Sequence, residues 1–393
     1  MMGRRTSGLR RRHALPDVEP PALTVCLAGG GTSGHINPAL AVAAKLRERL
    51  PALRLIYTGT ANGLESELVP RAGLDFRVVE AKPFKHDAAG FVRALNGLRH
   101  GRAQCLELLR KERPFAVFAT GGYASAPLLA AAAHLGIPRI LHEQNAIPGR
   151  NNRLMARGAE TVCVSFDGTE RYFPHTKRVV LSGNPIAAVY FQQKREEARE
   201  RLGLAADEPF VLVSGGSLGA RRLNETVIAY AAACWKAGGE SFEQMPKILL
   251  GCGKRLEEEA RAMALAAGTA DCPKLKIAGY LFDMVNYMTA ADFVVGRAGA
   301  GFCAELAALG KAAVLVPYGY AANQHQLYNA RTFVRAGGAY SCEDAAFTPD
   351  YLKDCCARIL GSPERRRSME TASRSLARAA AADTIADEIL RFR

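Results

Sequence analysis

Residues 22–40 read ALTVCLAGGGTSGHINPAL: a short apolar strand, three glycines, then an apolar-periodic helix. Thr24–Leu27 is β-branched and apolar, as a buried parallel strand requires. Gly29, Gly30 and Gly31 let the chain turn sharply and uncover backbone N–H groups. Pro38 falls in the first turn of the following helix, where its missing N–H costs little. A helix N-terminus behind such a loop carries free donors and a partial positive charge. The segment therefore predicts a doubly wound α/β domain with an anionic group, a phosphate first of all, at the loop.

The spacing Gly29-x-Gly31-x-x-Gly34 also satisfies the dinucleotide fingerprint. That fingerprint needs an acid at the end of the second strand to hold a ribose. Here the second strand, Leu53–Tyr57, ends in Thr58-Gly59-Thr60, and Glu65 comes only inside the next predicted helix. A dehydrogenase is disfavoured. A loop that merely turns the chain is disfavoured too, because His35 places an ionisable side chain at its mouth.

At 393 residues the chain is long enough for two domains, and 49% hydrophobic with 23% charged residues is the balance of a globular enzyme. No apolar run reaches the roughly 18–20 residues of a spanning helix. The net charge of +14 is uneven: residues 1–185 hold 26 Lys and Arg against 14 Asp and Glu, residues 186–393 hold 26 against 24. A basic first half suits an anionic substrate or membrane surface. With only 7% aromatics and no recognisable module, nucleic acid is not expected as a partner. Ten cysteines without a C-x-x-C pair indicate a reducing, cytoplasmic compartment. Residues 1–21 are basic but lack the apolar stretch of a secretory signal, and are expected to be a disordered tail.

Strands and helices alternate along the chain, and Phe210–Ser214 followed by Gly215-Gly216-Ser217-Leu218-Gly219 restarts the opening pattern. Two such openings predict two Rossmann-like domains, 22–185 and 186–371, with the turn Gly183-Asn184-Pro185 between them. A closing helix over 372–393 could pack back on the first domain. Ligands in such a pair sit at the strand ends, hence in the cleft.

Four further segments place polar side chains at strand ends: Thr120-Gly121-Gly122-Tyr123, His142-Glu143-Gln144-Asn145, the Gly215–Gly219 loop, and Arg297 through Glu305. Together with GGGTSGHINPALAVA, HEQNAIPGRNN, GGSLGARRLN and the run from RAGAGFCAELAAL to NQHQLYNA, they make the chain resemble the bacterial peptidoglycan GlcNAc transferases. The resemblance runs from Leu23 to Leu390. It implies a GT-B fold, two Rossmann-like domains facing across a cleft. It also implies inverting transfer of GlcNAc from UDP-GlcNAc to the C4 hydroxyl of the muramoyl sugar of lipid I, giving lipid II at the cytoplasmic face of the cell membrane.

Carried over by position, Glu305 would bind the ribose hydroxyls, and Ala300, Gly301, Phe302, Cys303 and Ala304 would supply backbone contacts near the nucleotide. Leu281 would pack the uracil and Ser217 would meet the diphosphate. Thr32, Ser33 and Gly34 would line the donor sugar and acceptor side, with Asn145 and Gln326 on GlcNAc. His35 would be the general base, with Glu143 the next candidate. No metal or cofactor is implied, and cell-wall synthesis proteins are candidate partners. The chain departs from the family at Ala187, where an arginine is common, at Ser33, at His325, and at Leu250-Gly251-Cys252-Gly253. Two alternatives stay open: a GT-B transferase with another lipid or natural-product acceptor, because the donor motifs are better marked than the acceptor ones, and a catalytically weak sugar-nucleotide-binding scaffold, because of the arginine missing at Ala187.

From Lys82 to Arg102 apolar and basic residues interleave, and Phe91, Leu95 and Leu98 share one helical face. That face is either a monotopic patch for an anionic bilayer or a core-facing stripe beneath solvated arginines.

Overall fold

The computed structural model describes residues 23–83, 87–216, 218–319 and 324–393. The tail 1–21, Phe84 and Ser217 thus lie outside the described residues.

Two parallel sheets form the chain. The first contains β1 (Thr24–Ala28), β2 (Arg54–Gly59), β3 (Asp75–Val78), β4 (Ala116–Ala119), β5 (Arg139–Glu143), β6 (Thr161–Val164) and β7 (Val179–Leu181), in the order β3-β2-β1-β4-β5-β6-β7. The second contains β8 (Phe210–Ser214), β9 (Lys247–Gly251), β10 (Leu275–Ala278), β11 (Phe293–Gly296), β12 (Ala312–Leu315) and β13 (Ala339–Ser341), in the order β10-β9-β8-β11-β12-β13. The strand order reverses between β1 and β4 in one sheet and between β8 and β11 in the other. Open α/β sheets bind ligands at these points. The glycine segments read from the sequence follow these four strands.

Alternation places the two faces of each strand in separate cores. Val25 and Leu27 pack beneath the helix Ser33–Arg49, while Cys26 and Ala28 face the other side with Leu128 and Leu129. The second sheet is likewise covered on both faces. All ten cysteines are unpaired and nine are buried. Burial pushes the Cys26 thiol up to about 12, so it acts as a small hydrophobe.

Three features differ from the sequence reading. Strands β7 and β13 were not expected; each has three residues and closes the edge of its sheet, too short to show a period. The helix expected over 372–393 is broken: one helix ends at Ser375 and the next spans Ala381–Leu390. The last helix contributes Ile385, Ala386 and Ile389 to the first domain's core, and Glu388 accepts a hydrogen bond from Thr161 at 3.2 Å. Among the described residues, no helix is long and apolar enough to cross a membrane.

Candidate active site

The first glycine loop is held by the protein's own groups. Glu65 is fully buried and accepts from the N–H of Gly31 at 3.2 Å, and from the N–H and hydroxyl of Thr60 at 3.1 and 2.7 Å. The phosphate expected at this loop therefore does not take the Gly31 N–H, because a carboxylate already has it. Tyr57 donates to the carbonyl of Gly29 at 2.7 Å, and Thr120 to the carbonyl of His35 at 2.5 Å. The loop after β4 rests directly on it: a Cβ at Gly122, whose φ is +78°, would lie 2.1 Å from the Gly30 carbonyl oxygen.

The helix Ser33–Arg49 starts without a side-chain cap, because Thr32 turns its hydroxyl to His35 Nδ1 at 3.1 Å. That leaves the first-turn N–H groups of Ser33 and Gly34 to a ligand. The same contact holds the imidazole in place at the mouth of the loop. His35 lines a cavity of about 220 Å³ with Tyr123, Glu143, Asn145, Asn152 and Arg150, and Lys82 and Leu98 close one side. Crowding by the protein desolvates the ring and, with His325 across the cleft, lowers its pKa to about 4. The imidazole is neutral at physiological pH, the form that accepts a proton.

Glu143, the alternative base, is committed elsewhere. Its carboxylate is buried and accepts from the backbone N–H and side chain of Asn145 at 3.0 and 3.2 Å, from Gly149 N–H at 3.3 Å and from Asn152 at 2.9 Å. Burial raises its pKa, and the four donors oppose that shift. It organises the loop that presents Asn145. Beside it, His142 is buried between the Gly183 carbonyl, 3.0 Å from Nε2, and Gln144, and burial lowers its pKa to about 4.

The second half of the site lies in the other domain. The helix Ala300–Leu309 follows β11 behind Gly299 and has no side-chain cap. Its opening N–H groups are therefore available to an anion. Cys303 is buried in the core, Phe302 packs against the same cluster, and Ala300 is 9% exposed. Glu305 sits on the helix half-buried; burial raises its pKa to about 7, and a hydrogen bond from Tyr190 opposes the rise. Leu281 is buried near the end of β9, against Gly251. Gln326 opens the helix His325–Ala336, and its carboxamide oxygen accepts from Tyr318 N–H at 2.9 Å.

The stretch Leu250–Gly253 packs closely on its neighbours. A Cβ at Gly253, whose φ is +89°, would lie 2.3 Å from Gly219 Cα, so the two backbones touch where only glycine fits. Asn224 ties this contact by donating to the Cys252 carbonyl at 3.1 Å.

The structure thus joins Thr32, Ser33, Gly34, His35 and Asn145 on one side of the cleft. It sets Leu281, Ala300–Glu305 and Gln326 in the other domain. Sequence reasoning missed Glu65, Tyr190 and Asn329. Glu65 gave one signal, a lone acid opening a helix directly after a strand-end turn; Tyr190 gave none.

Residues 25–164 match the glycosyltransferase family 28 N-terminal domain, and residues 210–387 match the family 28 C-terminal domain. The chain is 38% identical over 377 residues to the UDP-N-acetylglucosamine–N-acetylmuramyl-(pentapeptide) pyrophosphoryl-undecaprenol N-acetylglucosamine transferase of Desulforudis audaxviator, covering 93% of this chain and 98% of that one. It is 37% identical to the protein of the same name from Moorella thermoacetica, covering 94% and 99%. The crystal structure of Acinetobacter baumannii MurG superposes with a TM-score of 0.71 at 28% identity, over 94% of this chain and 99% of that one. Fold, domain order and sequence agree: the chain belongs to the MurG family, the N-acetylglucosamine transferases that carry that long name.

Proposed function

We propose that this chain transfers GlcNAc from UDP-GlcNAc to the muramoyl sugar of a pentapeptide-bearing, pyrophosphoryl-undecaprenol-linked acceptor, lipid I, and so forms lipid II for peptidoglycan. The observation that carries the reading is the division of labour across the cleft. An uncapped helix with a ribose-suited carboxylate lies in one domain, and a neutral histidine lining a cavity lies in the other.

In the reaction, the acceptor C4 hydroxyl oxygen bonds to C1 of GlcNAc while the bond from C1 to the diphosphate oxygen breaks. The electron pair leaves on UDP, and the hydroxyl proton passes to His35 Nε2. Attack opposite the leaving group inverts the anomeric centre. Helix N–H groups near Ala300 stabilise the charge that develops on the diphosphate, an electrostatic role for fixed dipoles. Ser217 would add a donor, and Leu281 would pack the uracil. Asn145 and Gln326 would orient the sugar. With Nδ1–H donated to the Thr32 hydroxyl, Nε2 would be the nitrogen left to take the proton.

Radiolabelled UDP-GlcNAc and a short-chain lipid I analogue test this directly, and disaccharide product unaffected by EDTA is the expected result. Donor hydrolysis without transfer would favour another acceptor, and binding without turnover would favour a scaffold.

Delivery of a lipid-linked acceptor suggests peripheral attachment at the cytoplasmic membrane face. On the helix Ala88–Glu112, Phe91 is 55% and Leu95 39% exposed, while Ala94 and Leu98 turn to the acceptor cavity. The outer face is not core. Phe91→Ser with Leu95→Ser is expected to weaken binding to anionic vesicles severalfold in a flotation assay and to leave UDP affinity unchanged. The remaining binding should fall with salt, because each nearby basic residue contributes roughly 1 kcal/mol and is screened over about 8–10 Å. Unchanged flotation would move the contact elsewhere on the surface.

A further inference from the structure

We propose that Asn329 is a positioning residue that clasps the two domains and sets the spacing between donor and acceptor; this rests on the transferase reading above. Asn329 is fully buried on the helix His325–Ala336 of the second domain, yet it reaches the first. Its carboxamide oxygen accepts from the N–H of Ala146 at 3.2 Å. Its Nδ2 donates to the carbonyl of Ala298 at 3.0 Å and to the side-chain oxygen of Asn145 at 3.4 Å. Both N–H bonds and the oxygen are used, so no other side chain of this size fits the same partners.

The consequence is a continuous chain of hydrogen bonds across the cleft. Glu143 takes the Nδ2 of Asn145, the oxygen of Asn145 takes the Nδ2 of Asn329, and Asn329 also holds the Ala298 carbonyl. Ala298 lies just before the uncapped helix that begins at Ala300, and Glu143 and Asn145 line the acceptor cavity. The amide of Asn145 is thereby oriented, with NH₂ toward Glu143 and oxygen toward Asn329. One N–H and one lone pair remain for a sugar. A single side chain fixes both the orientation of a sugar-facing group and the distance between the domains. Misplacement of reacting groups by about 1 Å costs on the order of 10²-fold in rate.

The test uses the full chain, UDP-GlcNAc and a short-chain lipid I analogue. Asn329→Ala and Asn329→Ser, the latter keeping an O–H for Ala298 but losing the reach across the cleft, should lower kcat about 10²-fold. UDP affinity should stay within threefold, and hydrolysis of UDP-GlcNAc should rise relative to transfer. In a double-mutant cycle, Asn145→Ala should add little to the loss caused by either Asn329 variant. If the alanine variant does not fold, the serine variant decides. Additive losses in the cycle, or UDP affinity falling in parallel with kcat, would overturn the clasp and leave Asn329 a support of its own domain. Failure of the unmutated chain to transfer would instead refute the functional reading.

Discussion

His35→Ala is expected to lower turnover by about 10²–10⁴-fold and to leave UDP affinity within severalfold, because a general base acts on the acceptor proton and not on the nucleotide. The geometry is specific: Nδ1 is taken by the Thr32 hydroxyl, the ring lines the acceptor cavity, and the depressed pKa of about 4 keeps the ring unprotonated through neutral pH. Such a low value makes a weak base on its own. With His35 as base, stabilisation of the leaving diphosphate would have to carry the rest of the barrier. Single-turnover kinetics with saturating donor would read the chemical step directly. A loss smaller than severalfold would remove His35 from the chemistry. Glu143 could not readily replace it, since its two oxygens already accept four hydrogen bonds.

Glu305→Ala should weaken UDP binding tenfold to hundredfold, the equivalent of about 1.5–3 kcal/mol for a lost charged hydrogen-bond partner, measured by calorimetry. Its raised pKa adds a pH dependence whose sign is fixed. As the ribose ligand, the carboxylate would accept from both hydroxyls best when ionised, and burial places half-ionisation near pH 7. Affinity should thus be full above about pH 8 and fall as pH drops through 7, by up to tenfold per unit. Glu305→Gln should abolish that slope; titration of the diphosphate itself is common to both proteins and cancels in their ratio. The phenol of Tyr190 opposes the rise in pKa, so Tyr190→Phe should move the midpoint to higher pH. The linkage to stability runs the other way. A carboxyl with a raised folded pKa binds its proton more tightly in the native state, so its contribution declines as pH rises from about 4.5 to 7. Glu305→Gln should melt higher than the parent at pH 8, and an unchanged melting temperature there would argue against a buried charge.

Much of the molecule was legible because its signals are local. Short apolar runs ending in glycine mark many of the strands, and the glycine segments after β1, β4, β8 and β11 stand at both reversal points. The three-residue edge strands β7 and β13 had no room for a period. Glu65, Tyr190 and Asn329 escaped for another reason. Each acts on a partner brought near by tertiary structure: Gly31 from 34 positions away, Glu305 from about 115 positions along the same domain, Ala146 from 183 positions away. Residue type alone does not announce such pairings. Phe91 and Leu95 show the converse, since helical spacing defined their shared face but could not say whether it faced core or solvent.

The last helix, Ala381–Leu390, gives the chain an order of events during synthesis. Ile385, Ala386 and Ile389 belong to the core that begins with Val25, and Arg49 of the first helix pairs with Asp383 at 2.6 Å. When a ribosome makes this protein, the amino-terminal domain emerges first but lacks one wall until about 200 further residues have followed. Domains usually fold as units, amino-terminal first, at roughly 5–20 residues per second. Here the first domain waits for its last wall while the second domain is made, exposing an apolar face for roughly tens of seconds. Pulse proteolysis should find the amino-terminal domain cleavable in nascent chains stalled before Ala381 and protected once the last helix has emerged.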